Sequence, residues 1–431
     1  MKLAKLSLAA MVVAGLASSS FAADTLADAF KNGTVKGELK AWYFDQTTGA
    51  KETNANMINL GIELGYVTAP LYGFTFGATF QGSGNPATAE ESAKTVFAND
   101  QYVGGGVLSE AYLAYTLGKT TVKAGRQYIA TPLVSGSGSR IIKESFEGVV
   151  LVNTDLPQTT LFAGWVGKFQ GRTSNVMGDA AGDAPKFGER AVFGAAGTLP
   201  FADGYTAGVI NKSITNLTLT GQYAIVTDVV AAATDDVDVY YTEANYVLPM
   251  NGFKLGFDAN YRGSKTGSQL DYANLEGDYT AGRISISELA GFGASFAAGT
   301  TDKNDAVVAG MGNGPTSYTS TLIRGTSTRM AADTDSYLFA ATYDFSKIGV
   351  TGLTALAQYG WTDQDRVNGT AATSIDYTNI AVGLTYAVPA LKGLTTSLQY
   401  ETQEAETTTY ATNVTTKVDT DELWFKAGYK F

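Results

Sequence analysis

Five charged residues bracket one short run of small ones: Glu110, Arg126, Arg140, Lys143 and Glu147 flank Ser135-Gly136-Ser137-Gly138-Ser139. A run of Ser and Gly can fold back against its flanks. Opposed charges gathered there would line a constriction and set a transverse field, sharpened where low-dielectric walls stand close. The run lacks the GxxxxGK[ST] spacing of a phosphate loop. Bond-making chemistry has little to draw on. The 431-residue chain contains no Cys and no His, which excludes disulfides, thiol nucleophiles, thiolate metal sites and imidazole bases. An enzyme would be left with a carboxylate pair or a lysine, and no such constellation stands out. No cofactor motif is present. With 30 Lys and Arg against 41 Asp and Glu, the chain is a poor match to nucleic acid.

The elements that must position these charges are strands. Ile58, Leu60, Ile62, Leu64 and Tyr66 share one face, with Asn59, Gly61, Glu63 and Gly65 on the other. The same period of two runs through Phe74–Phe80, Phe253–Tyr261, Tyr337–Phe345, Leu353–Trp361 and Ile380–Val388. A soluble sandwich also alternates. Two features favour a membrane barrel instead. The apolar face lasts about ten residues, the length of a tilted spanning strand. Connections also alternate in length. Pro70, Pro157, Pro249 and Pro389 sit in short turns, where they cost no ladder bond. Long polar stretches cover 82–107, 171–204, 263–276, 300–333, 363–374 and 405–418. The pattern predicts an all-β, transmembrane antiparallel β-barrel of about 18 strands, with 16 as the alternative count. Short turns would be periplasmic and long loops extracellular.

Residues 1–22 stand apart. Lys2 and Lys5 precede the apolar run Leu6–Leu16, and Ser20-Phe21-Ala22 offers small residues for cleavage after Ala22. This reads as a secretory signal peptide, too short to span, leaving one barrel domain over 23–431. Loss of its two lysines takes the formal charge from −11 to −11 − 2 = −13.

The last strand carries Leu423, Phe425, Ala427, Tyr429 and Phe431 on one face and ends on Phe. It resembles the terminal signal read by the barrel-assembly machinery. The opening Asp24-Thr25-Leu26-Ala27-Asp28-Ala29-Phe30 and Gly37-Glu38-Leu39-Lys40-Ala41-Trp42-Tyr43-Phe44 resembles that of OprD-type outer membrane porins, in the variant found in epsilon-proteobacteria. So do Gly125-Arg126-Gln127, Thr131-Pro132-Leu133 and Ser139-Arg140-Ile141-Ile142-Lys143-Glu144-Ser145-Phe146-Glu147-Gly148. The resemblance implies an 18-stranded, water-filled channel in the cell outer membrane, narrowed by an inward loop near 129–142. It would pass ions and small hydrophilic solutes passively. In that family the solutes often bear carboxylates, basic residues line the wall, and homotrimers occur among related porins. Arginines are few here and the chain is acidic, which favours a general diffusion pore over a carboxylate-specific channel. A surface barrel whose long loop 300–333 serves adhesion is the alternative.

Further lumen candidates follow from parity: Lys123, Lys254, Asp258 and Arg262 lie on polar faces, with Arg283 less certain. Arg126 shares the parity of Val122 and Ala124, so either a bulge re-aims it or it sits above the hydrocarbon band. Each of these charges could equally be a solvated rim residue. Asp235-Asp236-Val237-Asp238 and Asp419-Thr420-Asp421-Glu422 could attract Ca²⁺ or the cations that bridge lipopolysaccharide, although acidic loops are more often just solvated. The mature charge of −13 predicts a mild cation preference, opposed locally by the basic residues of 126–143.

Overall fold

The computed structural model describes residues 23–431, except 50–52, 89–96, 98–99, 102–103, 180–181, 230–234, 325–326 and 366–371. The proposed signal peptide therefore lies outside the described residues. A short helix α1 (Leu26–Lys31), capped by the Thr25 side chain, precedes the sheet.

Eighteen strands follow in chain order: β1 Thr34–Thr48, β2 Thr53–Val67, β3 Phe74–Thr88, β4 Gly105–Leu117, β5 Thr120–Gln127, β6 Ser145–Asn153, β7 Thr159–Gln170, β8 Gly204–Asn211, β9 Leu217–Val226, β10 Val237–Met250, β11 Phe253–Thr266, β12 Asp278–Leu289, β13 Phe292–Thr301, β14 Thr334–Asp344, β15 Leu353–Gln364, β16 Thr373–Ala387, β17 Leu394–Thr409 and β18 Val414–Lys430. Every neighbour is antiparallel. β1 pairs with β18 through Glu38↔Lys430 to Thr48↔Thr420, which closes the barrel and leaves no edge.

The alternation read from the sequence becomes an inside-out protein. Leu60, Ile62, Leu64, Phe257, Ile284, Phe339, Ile380 and Phe425 are exposed on the outer face, where lipid replaces water. Asn59, Glu110, Gln127, Arg262, Asn379 and Glu401 are buried on the inner one. The N–H of Ala23 donates to Pro70, and Phe431 bonds Gly37, so both ends lie at the short-turn rim.

Wall height varies sharply. β5 has 8 residues and β18 has 17, which at about 3.3 Å per residue is roughly 26 Å against 56 Å. The low side, β5 to β8, is where the connections 128–144 and 171–203 enter the barrel. The stretch 405–418 is not a loop: β17 and β18 run on to a tight turn at 410–413, in full register from Glu404↔Asp419 to Thr409↔Val414. Its Thr, Glu and Lys side chains look loop-like, but the strands stand clear of the membrane there, so both faces are polar.

The connection 302–333, expected outside, also folds inward. Val307, Val308, Ala309 and Met311 are buried, and Val308 and Met311 join Leu133, Val134, Phe146, Phe169, Val226 and Val239 in one apolar cluster. The lumen is aqueous, so the hydrophobic effect acts there as in a soluble core, at about 1.5–3 kcal/mol per fully buried Val, Leu or Met. That burial explains why a long extracellular connection is drawn in.

A charged neck between the inward loop and the closing strands

Of the five bracketing charges, Glu110 belongs to the barrel wall. Glu110 on β4 and Lys123 on β5 both face the lumen and pair at 3.3 Å. The Thr79 hydroxyl donates to Glu110 at 2.7 Å, and the Lys123 ammonium lies 3.6 Å from the Tyr112 ring centre.

Arg140 and Lys143 belong to the inward loop itself. The Lys143 backbone is fixed by Gln81, which accepts from its N–H at 2.8 Å and donates to its carbonyl at 3.0 Å. Its ammonium reaches Glu63 at 2.6 Å and Glu38 at 3.7 Å. Lys40 lies 3.8 Å from the same Glu63 and donates to the Ile141 carbonyl at 2.9 Å. Arg140 pairs with Asp100 and stacks 4.6 Å from the Trp424 ring centre. Arg172 holds the other Asp100 oxygen at 2.5 Å and lies 3.4 Å from Glu144. Burial alone would raise the Asp100 carboxyl, but the Arg140 and Arg172 guanidiniums outweigh it and hold the group below the usual carboxylate range.

Lys426 on β18 completes the ring. It donates to the Ser139 carbonyl at 3.2 Å and lies 4.1 Å and 4.6 Å from the ring centres of Trp424 and Trp42. Among the described residues it has no carboxylate partner. The neck thus gathers Lys40, Arg140, Lys143, Arg172 and Lys426 against Glu38, Glu63, Asp100 and Glu144. Opposed charges so placed can orient and slow a permeating ion.

Arg126 and Glu147 are not brought to this neck. They pair at 3.0 Å as direct cross-strand neighbours, and Lys168 joins Glu147 at 3.3 Å. Alternation puts all three on the outer face, Arg126 with Ala124 and Glu147 with Leu151, at the loop end of the short strands. Arg126 also stacks 4.4 Å from the Phe187 ring centre. A bulge does occur here, but at Gly167 on β7, where Glu147 faces Lys168 and Gly148 faces Val166.

Lys254 lies at the short-turn rim, where it meets Glu288 at 2.7 Å. Asp258 faces the lumen below the loops and is held by Arg283 at 2.6 Å and by the Asn245 amide at 2.6 Å. Arg262 is fully enclosed: it donates to the Ala309 carbonyl, and to that of Pro132 at 3.3 Å. It ties both inward loops to β11 and presents no free charge to a solute. Among the described residues no three Asp or Glu side chains converge to hold a cation.

Sequence reasoning missed Glu38, Lys40, Glu63, Asp100, Glu144, Arg172 and Lys426. Parity already put Lys40 and Lys426 on inward faces. Only the pairing Trp42↔Lys426 makes them neighbours of the loop, and that requires barrel closure. A second missed signal was Gly310-Met311-Gly312-Asn313-Gly314. A Cβ on Gly310 or Gly312 would stand 2.2 Å from the Leu133 carbonyl oxygen or 2.3 Å from that of Ser135, so this segment can lie flush on the loop only as glycine.

Residues 77–430 match the family model described as outer membrane porin, OprD family. The fold is similar to that of three Pseudomonas aeruginosa proteins. OccK8 (OprE) is 16% identical with a TM-score of 0.71, covering 94% of this chain and 99% of that one. OpdQ is 17% identical with a TM-score of 0.71 over 94% and 99%. OccK1 (OpdK) is 14% identical with a TM-score of 0.73 over 93% and 99%. No curated protein matches in sequence. The family model covers most of a closed, 18-stranded barrel with inward loops, and the chain belongs to the OprD family of outer membrane porins.

Proposed function

We propose that this porin is a passive, weakly selective channel for ions and small hydrophilic solutes. Its neck would lie between the loop 128–144 and the lumen faces of β1, β2 and β18. The observation that carries this is the charge balance there: among the described residues five basic groups face four acidic ones, and all but Lys426 have an ion-pair partner. The acid excess that predicted a cation preference lies elsewhere. Asp335, Asp363, Asp376 and Glu406 stand opposite one another across β14 to β17, on the outward parity of Phe339, Tyr359 and Ile380. They act on the surroundings of the barrel rather than on its bore, so selectivity is weak. A planar-bilayer reversal potential in a KCl gradient tests this. A value near zero fits; strong selectivity of either sign overturns the charge-balance reading, and no conductance at all overturns the pore.

Lys426, which rests on two tryptophans and has no carboxylate partner among the described residues, favours a second reading in which carboxylate-bearing solutes pause at the neck. Saturable uptake of such solutes, against permeability falling smoothly with size, separates the two. Residues 1–22 are proposed as a cleaved signal peptide, and the aromatic face ending at Phe431 as the address for barrel assembly. The girdle of outward tyrosines would contact outer-membrane lipid and lipopolysaccharide; a homotrimer would bury part of the same surface. The adhesive alternative loses ground because loop 302–333 is packed inside the barrel.

A further inference from the structure

Two inward loops meet along one seam. Val134 bridges Met311 in parallel, the Ser135 N–H donates to the Met311 carbonyl at 3.0 Å, and the Met311 N–H donates to that of Leu133 at 2.8 Å. At the lumen end of the seam sits Glu144, whose side chain is 0% exposed. One of its oxygens accepts from the Ser137 N–H at 2.9 Å and from the Asn313 N–H at 2.9 Å. The other accepts from the Asn313 amide and faces the Arg172 guanidinium at 3.4 Å. A single buried carboxylate thus engages three of the connections that enter the barrel: 128–144, 171–203 and 302–333. A charge sealed this completely is costly unless every lone pair is answered, and here donors from all three segments answer it.

We infer that Glu144 is a positioning residue for permeation: it clasps loop 302–333 against loop 128–144 and so sets the bore of the neck beside Lys143, Arg140 and Lys426. Without the clasp the seam keeps its backbone bonds, including the one from the Gly314 N–H to the Ser135 carbonyl at 2.9 Å, but loses the carboxylate that holds Asn313 from both its backbone and its amide. The segment around Asn313 is then held only by its neighbours' backbone bonds, Gly312 to Val192 and Gly314 to Ser135, and fluctuates more widely at the neck. This rests on the porin reading above, and the two fail differently. A wild-type protein that does not conduct defeats the porin reading. A wild-type protein that conducts like its Glu144 variants defeats the clasp.

The test uses the full-length mature barrel in planar bilayers. Glu144→Ala should raise open-channel noise and raise conductance by about twofold, as one of the inward connections that narrow the pore loosens. Glu144→Gln keeps an oxygen for the two backbone donors but loses the charge facing Arg172, so it should fall between. Heat-modifiable mobility on gels shows whether each variant has folded, and the Gln variant carries the test if Ala does not fold. The chain has no native cysteine, so Val134→Cys with Met311→Cys adds one removable tether across the seam. In the Glu144→Ala background, oxidation should return conductance to wild type and a reductant should undo it. Unchanged conductance and noise in folded Glu144→Ala or Glu144→Gln overturns the proposal. A rise that the tether does not reverse also overturns it, since Glu144 would then act through its charge and not by holding the loops.

Discussion

Lys426 of the last strand donates to the Ser139 carbonyl of the inward loop at 3.2 Å, so the strand that closes the barrel also braces its neck. The ammonium rests between Trp42 and Trp424, 4.6 Å and 4.1 Å from their ring centres, and each such contact contributes about 0.5–2 kcal/mol depending on how dry it is. As the neck's one cation without a carboxylate partner among the described residues, it has the most leverage on permeating charge. Lys426→Glu should move the reversal potential toward cations, with Lys426→Gln about halfway. The shift should be large at low salt and fade near 1 M, where the Debye length is about 3 Å. Equal reversal potentials in all three proteins would show that the neck lies elsewhere.

Arg262 makes a different kind of prediction. Its guanidinium reaches the carbonyls of Ala309 and Pro132 from the face of Tyr241, whose ring centre is 5.0 Å away. Arg262→Ala leaves buried acceptors unanswered, a cost of about 1–3 kcal/mol, visible as a lower midpoint in denaturant unfolding from detergent or vesicles. Arg262→Lys should not restore it, because a single ammonium cannot serve both carbonyls as the planar fork does. Full rescue by lysine would mean that charge, not fork geometry, is what the site uses.

The Asp100 bridge sets a pH window. Its carboxyl is held below the usual carboxylate range by Arg140 and Arg172 against the pull of burial. A group depressed in the folded state contributes its full stabilisation above its unfolded value, near 3.9, and loses it as pH falls through the lower folded value. Conductance should therefore stay level from pH 7 down to about 4 as far as Asp100 is concerned. It should change only below that, as two arginines beside Glu144 and Lys426 lose the anion between them. Asp100→Asn should show the acid-pH conductance already at pH 7. If it behaves as wild type there, the bridge does not shape the neck.

How much of this was readable beforehand follows from what alternation can and cannot encode. Most of the eighteen strands are marked by side chains that must face lipid, as Ile58 to Leu64 do, so their faces were legible and the count was narrowed to 18 or 16. Register and closure depend on pairings between distant segments, so Lys40, Trp42 and Lys426 could not be seen to converge. Loop 302–333 looked extracellular because its apolar residues are spaced irregularly. They pack against other loops rather than a lipid face, and no period records that. Net charge is a poor guide to the bore for a physical reason: it sums the outer rim with the lumen.

The two faces of one strand differ in what they tolerate. Ile284 is exposed to lipid at mid-height on β12, with Phe257 and Phe296 opposite it. Ile284→Arg should cost about 2–4 kcal/mol when the barrel is unfolded from vesicles. Ser285→Arg, next along the strand and facing the lumen, should cost far less and instead alter conductance. Similar losses at both sites would mean that β12 does not present Ile284 to the hydrocarbon.

Arg126 and Glu147 test the outer face more sharply, because their sequence context pointed inward. They pair at 3.0 Å, with Lys168 at 3.3 Å on the far side of Glu147. All three are about a third exposed or more, so the pairs stabilise by about 1 kcal/mol or less. Strand parity directs their side chains away from the bore. Arg126→Ala, Glu147→Ala and the double variant should leave reversal potential and conductance at wild-type values, while Lys143→Ala changes both. Glu147→Ala alone leaves two cations facing one another and should lower the unfolding midpoint slightly more than Arg126→Ala does. A selectivity change in Arg126→Ala equal to that in Lys143→Ala would place the guanidinium in the permeation path, and the outward parity of β5 would have to be wrong.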